Sequence, residues 1–257
     1  MDNTLIDIGI ILPALLAGIL VLATHVPLGM VVLQRGIIFI DLAIAQIAGV
    51  GVILAHSLFH EPDNYIIQIT AALSAVAGAI FLRWTEHHWP DIQEAIIGVV
   101  FVFSASAGLL LLANNPQGGE HLKDLLAGQI LWVSYEQIIS TGILFSIILV
   151  LWFAYRKMQS GILFYVLFAI AVTSSVQLVG VYLVFSSLII PALAVWRHPS
   201  YKHRLWLAYA CGVGGYVIGL VLSALADWPS GPTIVICLAL VALIFWHSIQ
   251  FTLARSR

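Results

Sequence analysis

Three polar side chains interrupt otherwise apolar stretches near the amino terminus: His25, and, beyond the turn marked by Arg35, Asp41 and Gln46. Such groups are expensive at membrane depth, so they face an interior or an aqueous path and are the first candidates for handling an ion. His25 lies ten residues before Arg35 and Gln46 eleven after it. At 1.5 Å per residue, this spacing predicts that both lie about 15 Å from one membrane face, opposed on adjacent antiparallel helices. An imidazole nitrogen suits a transition metal, whereas an amide oxygen is a poor zinc ligand and favours harder ions such as Mn²⁺. Asp41, five residues before Gln46, is nearer the surface and turned off that face. The structural reading of His25 is a hydrogen-bonded histidine beside Pro27. His56 and His60 are one helical turn apart and are followed by Glu61 and Asp63. They read either as a metal-collecting outer mouth or as an interfacial polar rim.

A second constellation runs from Gln177 to Arg204. Pro191 removes a backbone donor and crowds the carbonyl one turn back, and Ser186 and Ser187 lie where a hydroxyl could satisfy the freed group. The segment is expected to bend or unwind near Ser187. Arg197, His198, Lys202 and Arg204 follow at a charge density that belongs in water. Further on, Asp227, Pro229 and Gly231 belong to DWPSGP, which predicts a tight corner.

The elements that must hold these groups are transmembrane helices. With 61% hydrophobic and 9% charged residues, the chain cannot be a soluble domain. Apolar runs appear at about Ile8–Leu33, Ile37–Phe59, Tyr65–Leu82, Ala95–Ala113, Ile130–Ala154, Gly161–Leu178, Gly180–Trp196, Leu205–Ala226 and Thr233–Thr252. The sixth and seventh could be one tilted helix, giving eight spans. With nine spans and the amino terminus outside, nine of the ten Lys and Arg residues are cytoplasmic and only Lys123 is external, so the positive-inside rule favours nine. The expected fold is all-α, a single polytopic bundle over residues 1–257, whose first segment is a retained helix. Small residues in Ala43–Gly51, Ala71–Ala79 and Gly212–Gly219 predict close helix packing. His87 and His88 fall in a predicted cytoplasmic loop with Trp84, Glu86 and Trp89, an interfacial aromatic belt. Cys211 and Cys237, both within apolar runs, argue against a disulfide framework. No G-x-x-x-x-G-K-[ST] motif occurs, so ATP must be hydrolysed elsewhere if it drives this protein. No basic tract suggests nucleic acid.

Gly180–Ala194, GVYLVFSSLIIPALA, resembles the most characteristic stretch of the zinc/manganese-type permeases of ABC importers. Gly29–Ala55 and Asp227–Val235 resemble the same family in order and spacing. The resemblance implies a membrane permease subunit in the bacterial inner membrane, moving a divalent transition-metal ion inward and holding no permanent cofactor. Implied partners are a second permease subunit, identical or paired, two cytoplasmic ATPase subunits carrying ATP, an external substrate-binding protein and the surrounding lipid. It assigns ATPase coupling to the segment holding Ser187, Pro191, Arg197, His198, Lys202 and Arg204. External docking falls to the turn with Asp227, Pro229 and Gly231. The chain departs from the family pattern in the second span, where Leu42 and Gln46 stand in place of an Asp and a His. Alternative readings are a secondary transporter or channel, marked by internal repeats, an ABC permease for a non-metal or chelated substrate, and an intramembrane enzyme, marked by several histidine clusters on one side.

Overall fold

In lipid a long apolar segment can satisfy its backbone N–H and C=O groups internally only as a helix or a closed barrel. The computed structural model describes residues 8–59, 62–112, 130–155 and 161–255, and these form helices without a strand. They are α1 (Ile8–Arg35), α2 (Ile40–Leu58), α3 (Asn64–His88), α4 (Gln93–Leu112), α5 (Tyr135–Ala154), α6 (Gly161–Val179), α7 (Val181–Ala194), α8 (Tyr201–Ala226) and α9 (Ser230–Arg255). Eight are long and apolar enough to cross a membrane. The exception is α7, whose 14 residues span only about 21 Å.

The question of one or two passes between Gly161 and Trp196 is answered at Gly180. Its φ of 84° and ψ of 163° lie in a region essentially closed to other residues, and α6 stops there. Phe164, near the start of α6, lies under the Arg35 guanidinium, 4.2 Å from ring centroid to Cζ. Toward the far end of α7, Leu188 and Ala192 pack on Gly29 of α1. Both ends of the α6–α7 unit therefore lie at the arginine end of α1, and the chain goes out and returns. The return is short, and the break precedes the serines. Contrary to the expected unwinding near Ser187, α7 continues as α-helix through both Ser187 and Pro191. The Ser187 hydroxyl donates to the Leu183 carbonyl at 2.6 Å and so does not serve the carbonyl freed by Pro191. It also accepts from Tyr216 Oη at 2.8 Å, tying α7 to α8.

Eight of the nine helices pack as two groups, and α5 lies against α1 and α6. One comprises α1, α7, α8 and α9; the other α2, α3, α4 and α6. Small residues hold each together, as their spacing predicted. A Cβ on Gly29 would fall on the Leu188 carbonyl oxygen, and one on Gly219 would lie 2.6 Å from Ile234 Cα. In the second group a Cβ on Gly51 would lie 2.7 Å from the Thr70 carbonyl oxygen. Such backbone approach is what small side chains permit in lipid. Between the groups, α1 and α2 leave the Arg35–Ile40 turn without packing along one another.

Several helix ends differ from expectation because apolar periodicity does not register polar residues that still continue a helix. Thus α3 runs on to His88, so Trp84, Glu86, His87 and His88 are helical rather than loop. Lys202 and Arg204 lie in the first turns of α8. Gly231 lies in α9, so the corner itself is only Asp227–Pro229, with Asp227 in the left-handed region at φ 53°. Ser134 caps α5 reciprocally with Gln137, which starts that helix at Tyr135 rather than Ile130.

Candidate substrate pathway and coupling surface

The α1 stripe Gly18, Leu22, His25, Gly29 recurs every three to four residues. Gly18 packs on the Tyr216 ring, Leu22 on Gly212, and Gly29 on Leu188. His25 therefore belongs to the face directed at α7 and α8, where it is wholly buried. Its Nδ1 lies 3.0 Å from the Val21 carbonyl, which can only accept, so Nδ1 carries the proton. Nε2 is thus left with a lone pair, buried and without a partner. A histidine that gives one N–H to a backbone carbonyl and keeps the other nitrogen bare has the tautomer a metal ligand requires.

Gln46 does not face it. On α2, Val50 and Ile53 pack toward Gly108 of α4, and Gln46 lies one turn earlier on that same stripe, half-buried. Since α1 and α2 diverge and these stripes address different neighbours, the expected His25–Gln46 pair is not formed. Equal spacing from the turn does not imply contact across the hairpin, because the turn fixes order and not crossing geometry.

Asp41 sits in the first turn of α2, 1% exposed, with both carboxylate oxygens buried and unbonded. Near it is Glu94, in the first turn of α4, whose Oε1 accepts the Phe39 N–H at 3.2 Å. Arg35 pairs with Glu86 of α3 at 3.5 Å, so acidic residues of two helices clamp the α1–α2 turn. His56 is exposed at the far end of α2, while His60 and Glu61 lie outside the described residues. Among the described residues no three His, Cys, Asp or Glu side chains gather as a metal site.

At the basic end, the segment between α7 and α8 is held by its own charges. Arg197 donates to Gln250 Oε1 at 3.1 Å and lies over the Trp246 ring, pinning the segment to the last turns of α9. Arg204 donates to the Trp196 carbonyl at 3.5 Å and lies over the Trp196 and Tyr201 rings, closing the segment on itself. Ser200 receives both histidines: its N–H donates to His198 Nδ1 at 3.3 Å, and its hydroxyl meets His203 Nδ1 at 3.0 Å. Lys202 is exposed and makes no ion pair with any described residue. Asp227 and Pro229 are exposed at the opposite corner, where Ser223 Oγ donates to the Trp228 carbonyl at 2.6 Å.

The model of a family described as the ABC 3 transport family matches residues 7–161 and 159–248, nearly the whole chain. The chain belongs to the ABC 3 transport family. Among its relatives is a probable iron transport system membrane protein of Haemophilus influenzae, 27% identical over 75% of this chain and 79% of the relative. Another is the high-affinity zinc uptake system membrane protein ZnuB of the same organism, 26% identical over 91% and 96%. The solved structure of PsaBC from Streptococcus pneumoniae in complex with Fab shares the fold, with a TM-score of 0.74 and 21% identity over 93% of this chain and 92% of that one. This ABC 3 family member is accordingly an all-helical membrane permease. Sequence reasoning passed over Glu94, which follows Pro90 and Asp91 and resembles an ordinary first-turn acid. The available signal was that a second acid opens a span on the same side as Asp41. Tyr216 was also missed, hidden in the glycine run that invites a reading of packing alone.

Proposed function

We propose that this chain is the membrane-spanning subunit of an ABC importer that moves a divalent transition-metal ion inward. Supporting this is the segment Val195–Arg204, an ordered, cation-bearing surface wedged between α7 and α8 and pinned to α9, as a docking element for a separate ATPase must be. A motor that moves a permease as rigid groups needs such a short, stiff handle. In this reading the basic end faces the bacterial cytoplasm, two permease subunits stand side by side, and two ATPases dock beneath them. An external binding protein delivers the ion at the Asp227–Pro229 corner. His25 offers its bare Nε2 to the ion, and Gln46, on the other helix group, offers an amide oxygen, a harder donor than a second imidazole. The iron and zinc named for relatives agree with a transition-metal cargo.

The test is reconstitution of the permease with its ATPase and binding protein in liposomes holding a metal-responsive dye. Uptake of Mn²⁺ or Zn²⁺ should require ATP, the ATPase and the binding protein, and His25→Ala should abolish it without loss of membrane-embedded protein. Uptake at an equal rate by the permease alone would make it a self-sufficient carrier or channel and overturn the proposal.

A further inference from the structure

The arginine end of the bundle holds a second polar centre, separate from His25. Asp41 Oδ1 and Oδ2 and Glu94 Oε2 are all buried without a hydrogen bond. Because Glu94 Oε1 is held by the N–H of Phe39, two residues before Asp41, the Glu94 carboxylate lies at the turn that carries Asp41, and the two carboxylates repel one another electrostatically. No cation answers them among the described residues, since Arg35 and Arg83 both pair with Glu86.

Buried charge without a counter-charge is strongly unfavourable, and two like charges together are more so. The amino termini of α2 and α4 offset part of this through their backbone dipoles. Three bare oxygens remain. Oxygen donors with a combined charge of two minuses match a small hard divalent cation, for which one or two carboxylates suffice when water completes the shell.

We infer that Asp41 and Glu94 form a binding site for a hard divalent cation of the Mn²⁺ class at the arginine end of the permease. Glu94 is half-buried and neighbours exposed Asp91 and Ile92, whereas Asp41 is fully buried. The ion therefore enters past Glu94 from the water at this end. On the proposed orientation, on which this last step rests, that end is cytoplasmic and the site is where an ion rests on leaving the bundle.

Purified permease in its complex, without ATP, is titrated with Mn²⁺, and bound ion is read as loss of the free-Mn²⁺ electron paramagnetic resonance signal. Glu94→Gln keeps the acceptor for Phe39 and removes only charge, so it and Asp41→Asn should weaken one Mn²⁺ site per permease by about tenfold or more, as lost ligand charge does. Glu94→Asp, which keeps a carboxylate and controls for folding, should retain that site. Equal Mn²⁺ binding by wild type, Asp41→Asn and Glu94→Gln would overturn the inference. So would an Asp41→Asn protein of higher thermal stability with unchanged Mn²⁺ binding, which would mean that the pair holds a proton alone. Equilibrium binding requires no transport, so failure here leaves the importer reading intact, and failed uptake leaves this site testable.

Discussion

Replacing Gly180 with alanine tests the reversal on which the nine-helix arrangement depends. At φ 84° and ψ 163° an L-residue is strained by about 1–3 kcal/mol, which at 1.4 kcal/mol per tenfold lowers the folded population roughly 5- to 150-fold. Alanine could escape that strain only by becoming helical. That would fuse 161–179 and 181–194 into one rod of about 50 Å, far longer than a hydrocarbon core of roughly 30 Å. It would also draw Leu188 away from Gly29. Neither route is neutral, so the thermal midpoint of the detergent-solubilised protein should fall. Gly98→Ala is the control, because Gly98 is inside α4 with open space where a Cβ would go; it should be neutral or gain up to about 1 kcal/mol. A cysteine at Ser230 should react with an impermeant reagent from outside in both backgrounds if the fold survives. Gly180→Ala matching Gly98→Ala in midpoint would refute the assigned reversal.

Gly29→Ala drives a methyl onto the Leu188 carbonyl; overpacking of about 1–3 kcal/mol should exceed the helix-propensity gain of about 1 kcal/mol, and an unchanged midpoint would deny the α1–α7 contact. Arg197→Glu removes the hydrogen bond to Gln250 and the contact with Trp246, so ATP hydrolysis should continue while uptake falls. Uptake at the wild-type rate would show that the segment does not couple. Gln46→His places imidazole on the α4-facing stripe, away from His25, so it should alter metal preference without substituting for His25 in a His25→Ala background. Rescue of uptake there would place the two on one path. Phe39 and Phe185 stack with centroids 6.1 Å apart across the two helix groups; cysteines at both positions, bridged by a short bifunctional reagent, should arrest transport reversibly.

The fold was legible because lipid leaves apolar segments few options. Eight of the nine runs became full-length helices, and the charge rule favoured the extra reversal before Gly180 revealed its backbone. What escaped was contact. Spacing from Arg35 placed His25 and Gln46 at one depth, yet depth is a one-dimensional quantity and the stripes of α1 and α2 were set by Tyr216, Gly212 and Leu188 on one side and Gly108 on the other. Pro191 suggested a broken helix by its own chemistry, whereas the break fell at Gly180, where left-handed φ was needed. Arg197 and Arg204 read as charges for a partner. Their partners inside the chain, Gln250 and Trp196, are distant in sequence or supplied by backbone, and neither shows in a local pattern.

The division into two helix groups gives these separate observations a common direction. His25 and the segment pinned by Arg197 both ride on α1, α7, α8 and α9, while Gln46, Asp41 and Glu94 ride on α2 and α4. Within each group glycines bring helices to backbone contact, and such interfaces slide poorly because any shift meets main-chain atoms. The joints between groups include a glycine turn at 180, the Arg35–Ile40 turn, the aromatic stack at Phe39–Phe185, and Arg35 itself, which pairs with Glu86 and lies over Phe164. If the segment Val195–Arg204 couples as proposed, force applied there would move His25 with its whole group, and the compliance available is at those joints. The consequence would be a change in the distance between His25 and the carboxylates of the other group, with the internal packing of both preserved. In an importer, that is the displacement that would pass an ion from a midmembrane imidazole to oxygen ligands at the basic end.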